Sequence, residues 1–156
     1  MIDNLDSLFE AVESHVSGRQ EQDKWEAVAD QQFPTLCDGL FNRLEILLYP
    51  MKSRLVGYSR QSVDAVWETT WQGNEYSVRF GNRNLKFRPI GADAQQEGDR
   101  FTVQVLRNHD ALVLRFIMMY SQPTGEMKLG IINHTSMTEP LDDRHLIQLL
   151  IEELLG

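Results

Sequence analysis

The side chains best suited to acid–base or metal chemistry in this sequence are four histidines: His15, His109, His134 and His145. Asp142 and His145 lie three residues apart in a predicted helix, so both could reach one metal ion. No second histidine four residues away and no cysteine accompanies the pair. A structural role for Asp142 at the start of the helix is therefore the better interpretation, and the sequence predicts no metal site.

The dipeptide His109-Asp110 has the residue types of a general base and the carboxylate that orients it. However, Asn108, His109 and Asp110 are also common turn residues, and neighbouring side chains in a turn seldom point at each other. His15 lies beside the apolar stripe of a predicted helix, where a packed or surface histidine is the simpler explanation. Structural roles are therefore favoured for both histidines.

Cys37 is the only cysteine, and it follows a predicted helix start at Thr35, where a thiolate would be stabilised. A lone cysteine is more often a buried apolar residue. The sequence contains no nucleophile motif, phosphate-binding loop or dinucleotide-binding motif. We therefore expect a non-catalytic protein without a cofactor. A single cysteine allows no intramolecular disulfide, which favours the cytoplasm.

One cluster of positive charge stands out in a protein whose net charge is −8. It comprises Arg79, Arg83, Lys86 and Arg88, and no acid lies between Glu75 and Asp93. The cluster is either a site for an anion or an acidic partner, or a solvated sheet face of mixed charge, which we favour. Arg79 is predicted to face Lys86, and like charges facing across two strands are unfavourable.

Four aromatic side chains of the same predicted sheet could line a ligand pocket: Trp67, Trp71, Tyr76 and Phe80. Small-molecule sites are lined mainly by apolar and aromatic side chains with a few polar groups. The alternative function is therefore a small-molecule-binding protein, or a small hydrolase, with a pocket between helices and sheet. An ordinary hydrophobic core would use the same residues, so both interpretations stay open.

Four apolar residues fall on the outward sheet face, where polar residues are expected: Val113, Ile117, Met119 and Ile132. The predicted C-terminal helix is also apolar over more than one side between Leu146 and Leu155. Monomeric proteins rarely expose such a patch. We predict that a second copy of the chain, or another protein, covers it; the rival explanation lays the C-terminal helix across that face.

These residues are positioned by a predicted antiparallel sheet. Gly73-Asn74 is a two-residue hairpin turn, which pairs Trp67 with Phe80, Trp71 with Tyr76 and Glu68 with Arg79. A four-residue turn over 81–84 then places Phe80 opposite Leu85. A loop over 107–110 pairs Val103 with Leu114, and a turn over 122–125 pairs Tyr120 with Met127 and Met118 with Leu129. The pattern predicts six strands with one apolar face.

Helical spacing of apolar residues flanks the sheet. We predict two or three N-terminal helices: residues 3–17 ending at Gly18, a segment from Glu21 that Pro34 ends or kinks, and a segment from Thr35 that Pro50 limits. A C-terminal helix is predicted within 138–156, with Thr138 as a candidate cap and Pro140 in the first turn.

At 156 residues the chain is expected to form a single α+β domain over 1–156, with helices in 1–59, sheet in 60–134 and the last helix in 138–156. The net charge of −8 disfavours duplex nucleic acid and anionic membranes as partners. No apolar run is long enough to cross a membrane. The leading hypothesis is a non-catalytic cytoplasmic protein-binding protein, acting as a homodimer or as the partner of another protein.

Overall fold

The computed structural model describes residues 2–55, 57–59, 61–63, 67–121, 126–133 and 135–156. Its architecture is α+β: a long N-terminal helix, an antiparallel sheet in strand order 1 to 7, and a C-terminal helix. The elements are α1 (Ile2–Arg54), β1 (Trp67–Gln72), β2 (Glu75–Phe80), β3 (Arg83–Ile90), β4 (Thr102–Arg107), β5 (Ala111–Ser121), β6 (Glu126–Ile132), β7 (Thr138–Pro140) and α2 (Asp143–Leu150).

The N-terminal region is one helix of 53 residues rather than the two or three predicted helices. Pro34 and Pro50 both lie inside α1, and their rings are exposed. Proline has no backbone N–H, so each leaves one carbonyl group of the preceding turn without its helical hydrogen bond. These carbonyl groups are on the solvent side of α1, where water can bind them. Gly18, the predicted helix end, lies within the helix, where glycine costs only about 1 kcal/mol relative to alanine.

The first hairpin has the predicted register. Trp67 pairs with Phe80, Trp71 with Tyr76, and Glu68 with Arg79. Gly73 has a φ of +59°, which only glycine adopts without strain, and it fixes the two-residue turn. Local turn chemistry and alternating polarity therefore determine this pair of strands.

The second hairpin differs from its predicted register by two residues. Val78 pairs with Leu85 and Phe80 with Arg83, because Gly81, with a φ of +62°, and Asn82 form a two-residue turn like the first. A shift of two residues keeps every side chain on its predicted face, so alternation could not detect the error. The predicted contact of Arg79 with Lys86 is wrong, because Arg79 faces Asn84 and Lys86 faces Ser77.

The third hairpin also differs from its predicted register. Val103 pairs with Phe116 and Val105 with Leu114, and a β-bulge follows at Leu106, which pairs with Leu112. A 3₁₀ turn over Asn108–Asp110 connects the strands. In the next hairpin, Tyr120 pairs with Met127 and Met118 with Leu129, as predicted. The predicted turn over 122–125 lies outside the described residues, and so does His134.

The sheet has seven strands rather than six. Residues Thr138–Pro140, predicted as the start of the last helix, form β7 and pair with β6. Proline is tolerated there because an edge strand does not need every backbone donor. The helix cap is Asp142, whose carboxylate accepts the backbone N–H of His145, and α2 begins at Asp143.

Both helices pack against the same face of the sheet, which we call the inward face. The core joins the second half of α1 to the central strands and to α2 with the π-helical turn Ile151–Leu155 that follows it. Its members include Phe33, Phe41, Leu44, Tyr76, Val78, Leu85, Phe87, Val103, Val105, Phe116, Leu146, Leu150 and Leu154. The predicted rival, in which the C-terminal helix covers the outward face, is therefore wrong.

The first part of α1 is outside this core. Every side chain from Asn4 to Trp25 is exposed, and the first buried one is Ala29. We call residues 4–24 the arm. Contact with the sheet begins at Trp25, whose ring lies edge-on to Phe101 at 5.9 Å, and at Glu26, whose carboxylate is 3.0 Å from Arg100.

Candidate functional site

The four aromatic residues predicted to line a pocket pack against one another and against α1. Phe41 stacks on Tyr76 at 5.7 Å and meets Trp71 edge-on at 5.5 Å. Trp67 and Phe80 form a second edge-on pair at 6.3 Å. Such geometries are those of a close-packed core. These contacts favour a structural role for the four rings.

Two polar groups are buried among these rings. The Tyr76 hydroxyl lies close to Glu45 and Thr69, and burial together with the Glu45 carboxylate raises the pKa of Tyr76 well above its ordinary value. The indole nitrogen of Trp67 is buried and has no hydrogen-bond partner among the described residues. A permanently neutral tyrosine of this kind is unsuited to proton transfer near neutral pH.

The basic cluster is largely neutralised within the chain. Arg79 is 3.2 Å from Glu68, and Arg88 is 3.0 Å from Glu75. Lys86 and Arg88 both approach Asp110, at 3.4 and 3.6 Å. Arg83 donates to the backbone oxygen of Gly156. These pairs support a mixed-charge sheet surface more than a free anion site.

His109 and Asp110 do not form a base with an orienting carboxylate. Both adopt left-handed backbone conformations, with φ of 63° and 57°, in the 3₁₀ turn between β4 and β5. The Asp110 carboxylate is bound by Lys86 and Arg88. The side chains therefore have the turn role that the sequence favoured.

His145 has a structural role at the start of α2. Its Nδ1 accepts the backbone N–H of Asp142 at 3.1 Å, so the proton of the neutral ring lies on Nε2 and is donated to Glu139 at 2.6 Å. The hydrogen bond from His145 lowers the pKa of Glu139, and the backbone N–H of His145 lowers the pKa of Asp142. With both ring nitrogens engaged, His145 links β7 to the helix cap rather than presenting a free ligand.

Cys37 lies on the buried side of α1, with 4% of its surface exposed. Burial raises its pKa to about 12, and the neighbouring Asp38 carboxylate contributes to the same shift. Reactive cysteines need a lowered pKa and access to solvent. Cys37 has neither property. Within the described ranges, no group of three histidine, cysteine or acidic side chains is arranged to hold a metal ion.

The predicted apolar patch is only partly assembled on the outward face. Ile117 and Met119 are half-buried there, with the Met119 sulfur lying against Gly130 of β6, and Ile132 is 55% exposed. Val113 is the extra residue of the bulge, and its side chain contacts the core instead. The bulge adds Leu112 to the outward face, where it is 42% exposed.

An open groove of about 610 Å³ separates α1 from the start of α2. Its apolar walls come from both helices and from β6, namely Leu36, Leu40, Leu129, Leu141 and Leu146. Arg43 and Asp143 form an ion pair of 2.6 Å at its edge, and Arg144 lines it as well. The groove is a concave surface that the sequence did not reveal, because it forms between elements more than 80 residues apart.

A second surface that sequence reasoning missed is the apolar stripe of the arm. It consists of five half-exposed side chains, Leu5, Leu8, Phe9, Val12 and Val16, with exposed fractions of 49–56%. Their helical spacing was visible in the sequence and was assigned to packing within the chain. No described residue covers them.

Comparisons of the chain with protein-family models, with curated proteins and with solved structures found no match. None of the helices in the described ranges combines the length and apolarity needed to span a bilayer. Function is therefore inferred from the surfaces themselves.

Proposed function

We propose that this chain is a non-catalytic cytoplasmic protein whose role is to bind protein, and that it does so as a homodimer. The observation that carries the proposal is the placement of α1 and α2 on one side of the sheet. This placement leaves Leu112 and Ile132 exposed on the outward face, with Ile117 and Met119 half-buried on the same face. Apolar surface of this kind commonly marks a protein interface.

The chemistry of the candidate groups supports a non-catalytic role. Cys37 is buried with a raised pKa, and both ring nitrogens of His145 are engaged in hydrogen bonds. The single cysteine, which cannot form an intramolecular disulfide, supports a reducing compartment. A net charge of −8 supports a protein partner over duplex nucleic acid, because the basic cluster has acidic neighbours in the chain itself.

The test is the mass of the protein in solution. Light scattering at micromolar concentration is expected to give twice the chain mass of 18.0 kDa. If the outward face is the contact, the double variant Ile117→Lys, Met119→Lys gives a folded monomer. The matched control, Thr70→Lys with Gln72→Lys, changes the same face of β1 and leaves the dimer intact. A wild-type monomer across the accessible concentration range would reject the homodimer.

A second candidate is a small-molecule-binding protein, favoured by the groove between α1 and α2. Its volume of about 610 Å³ is within the range of ligand sites, about 300–1,000 Å³. Its apolar walls suit an apolar molecule, and its cations Arg43 and Arg144 lie beside Asp143 and Asp142 of the same lining. Medium-chain fatty acids are a direct probe: binding that raises the melting temperature of the wild type, but not of Leu40→Trp, would support this candidate.

A further inference from the structure

The arm is a helix that lacks an intramolecular reason to be helical. It contains Gly18, three serines and two valines, which are weak helix formers, and all of its side chains are exposed. A helical segment of about 20 residues with this composition is marginal in water when it is alone. Packing against another helix would supply the missing stabilisation.

The apolar residues of the arm follow the spacing of a coiled-coil seam. From Ile2 the positions are Leu5, Phe9, Val12 and Val16, so the steps alternate between three and four residues. This seven-residue repeat keeps one narrow stripe facing a partner helix. Phe9 and Val16 occupy the a position of the repeat, and Leu5 and Val12 occupy the d position. The described members of the seam are each 49–55% exposed, so the stripe is available to a partner.

The charges beside the seam decide between the two possible orientations. In an antiparallel pair, the positions of Asp6 and Glu13 would face each other, and carboxylate would meet carboxylate. In a parallel pair, Glu13 faces Leu8 of the second copy. Only the parallel orientation avoids repulsion between acids.

The seam ends at Val16. The next two seam positions are Arg19 and Asp23, which would place like charges together in a parallel pair. Gly18 lies at the same point and offers no side chain for packing. Two paired arms therefore separate there, before Trp25 and Glu26 make contact with the sheet domain.

The surface available is close to what a dimer requires. Each arm has five half-exposed apolar side chains, each with an accessible area on the order of 90 Å². Two arms together therefore offer roughly 900 Å² of apolar surface, near the ~1,000 Å² lower limit of specific interfaces. Anionic membrane is a poorer partner, because residues 4–24 contain five acids and two bases.

We infer that residues 4–17 form one strand of a parallel two-stranded coiled coil with the same segment of a second copy. This inference rests on the proposed homodimer and adds to it a contact apart from the outward sheet face. The seam residues Leu5, Phe9, Val12 and Val16 meet their counterparts, and Leu8 of each copy packs beside them.

The first experiment compares Val12→Lys with Ser14→Lys, which adds the same charge two residues away on the opposite side of the arm. Light scattering and sedimentation measure the mass as a function of concentration. Val12→Lys is expected to raise the dimer dissociation constant by about 100-fold or more, because each seam would bury an ammonium group. Ser14→Lys is expected to leave it within about 3-fold of the wild type. Urea transitions followed by tryptophan fluorescence check that the sheet domain of both variants is folded.

The second experiment determines orientation by disulfide trapping in a Cys37→Ser background. Leu5→Cys and Val12→Cys should each form an intermolecular disulfide under mild oxidation, because equivalent residues meet all along a parallel pair. Glu10→Cys, on the outer side of the arm, is the matched control and should cross-link much more slowly. Cross-linking at only one of the two seam positions would show an antiparallel pair and overturn the parallel arrangement.

The outcomes separate this inference from the proposed function. A dimer that survives Val12→Lys but is lost with Ile117→Lys, Met119→Lys overturns the coiled coil and leaves the homodimer standing. A wild-type monomer at all concentrations overturns both. A dimer lost with Val12→Lys and retained with Ser14→Lys supports both.

Discussion

The two halves of α1 have the same kind of apolar spacing and opposite environments. Phe9 and Phe41 lie in one continuous helix, yet Phe9 is 55% exposed and Phe41 is 1% exposed. The second half faces the inward side of the sheet, where Phe41 stacks on Tyr76. In the first half, every side chain of the arm is exposed.

This difference teaches that periodicity predicts a helix and its apolar side but not the partner of that side. In the second half the partner is within the chain, and burial of the stripe is part of folding. In the arm the partner is external, so burial of the stripe becomes part of association. Substitutions of the same type should therefore affect folding in one half and association in the other.

The largest expected effect is on stability, and it compares Phe41→Ala with Phe9→Ala. Phe41→Ala should lower the free energy of unfolding by about 3–5 kcal/mol, because it removes a buried ring and leaves a cavity beside Tyr76 and Trp71. Phe9→Ala should change it by less than about 0.5 kcal/mol when measured on the monomer. Urea titration at low protein concentration gives both values. Equal losses in the two variants would mean that the arm packs against its own chain.

A second effect concerns thiol reactivity along the same helix. In a Ser14→Cys variant, the arm thiol should react with a disulfide reagent at once, whereas Cys37 should react about 1,000-fold more slowly. The raised pKa of Cys37, about 12 against an ordinary 9.0, lowers the fraction of reactive thiolate by about that factor. Burial of Cys37 slows it further. Similar rates for both thiols would contradict the packing of the second half of α1.

The smallest expected effect is on the pH dependence of stability. It concerns the hydrogen bonds at the start of α2, which packs beside the second half of α1. The pKa of Glu139 is lowered by its hydrogen bond with His145, so this interaction stabilises the fold above the ordinary pKa of 4.5. The stabilisation is lost as the pH falls through the lower, folded-state pKa. Glu139→Gln should therefore reduce the urea midpoint near pH 7, and this reduction should diminish as the pH falls below 4.5.

The control for this test is the same substitution in a His145→Gln background. Without the histidine, Glu139→Gln should have a much smaller pH-dependent effect on the urea midpoint, because only the weaker influences of Asn133 and Arg144 remain. An effect of undiminished size in that background would assign the lowered pKa to those neighbours of Glu139.

The sheet was predictable where a local signal determined it. Gly73-Asn74 specified the first hairpin residue by residue, and the order of the strands followed from short connections. The predicted register of the second hairpin was wrong by two residues, since Val78 pairs with Leu85. The alternation of polarity could not reveal this error, because a shift of two residues leaves each side chain on the same face. The bulge at Leu106 was not predictable, since one inserted residue leaves no compositional mark.

The helices and surfaces were less predictable because they depend on the environment of each residue. Pro34 was predicted to end or kink a helix and Pro50 to limit the next one, but a helix tolerates proline where solvent satisfies the freed carbonyl group. The apolar outward face was anticipated at Ile117 and Met119. Val113 was misplaced, because the bulge turns it toward the core and brings Leu112 outward in its place.

The sequential order of the seven strands has a consequence for the kinetics of folding. Each strand pairs only with its neighbours along the chain, and every connection except the one between Ile90 and Thr102 is short, so most steps of sheet formation close a short loop at small entropic cost. Proteins dominated by such local contacts fold faster than sandwiches and barrels of similar size. Docking of α1 and α2 onto the meander instead brings together residues far apart in the sequence. Before α1 docks, the apolar stripes of both its halves are exposed to solvent at the same time. Misassociation between nascent chains competes with folding while these stripes are exposed.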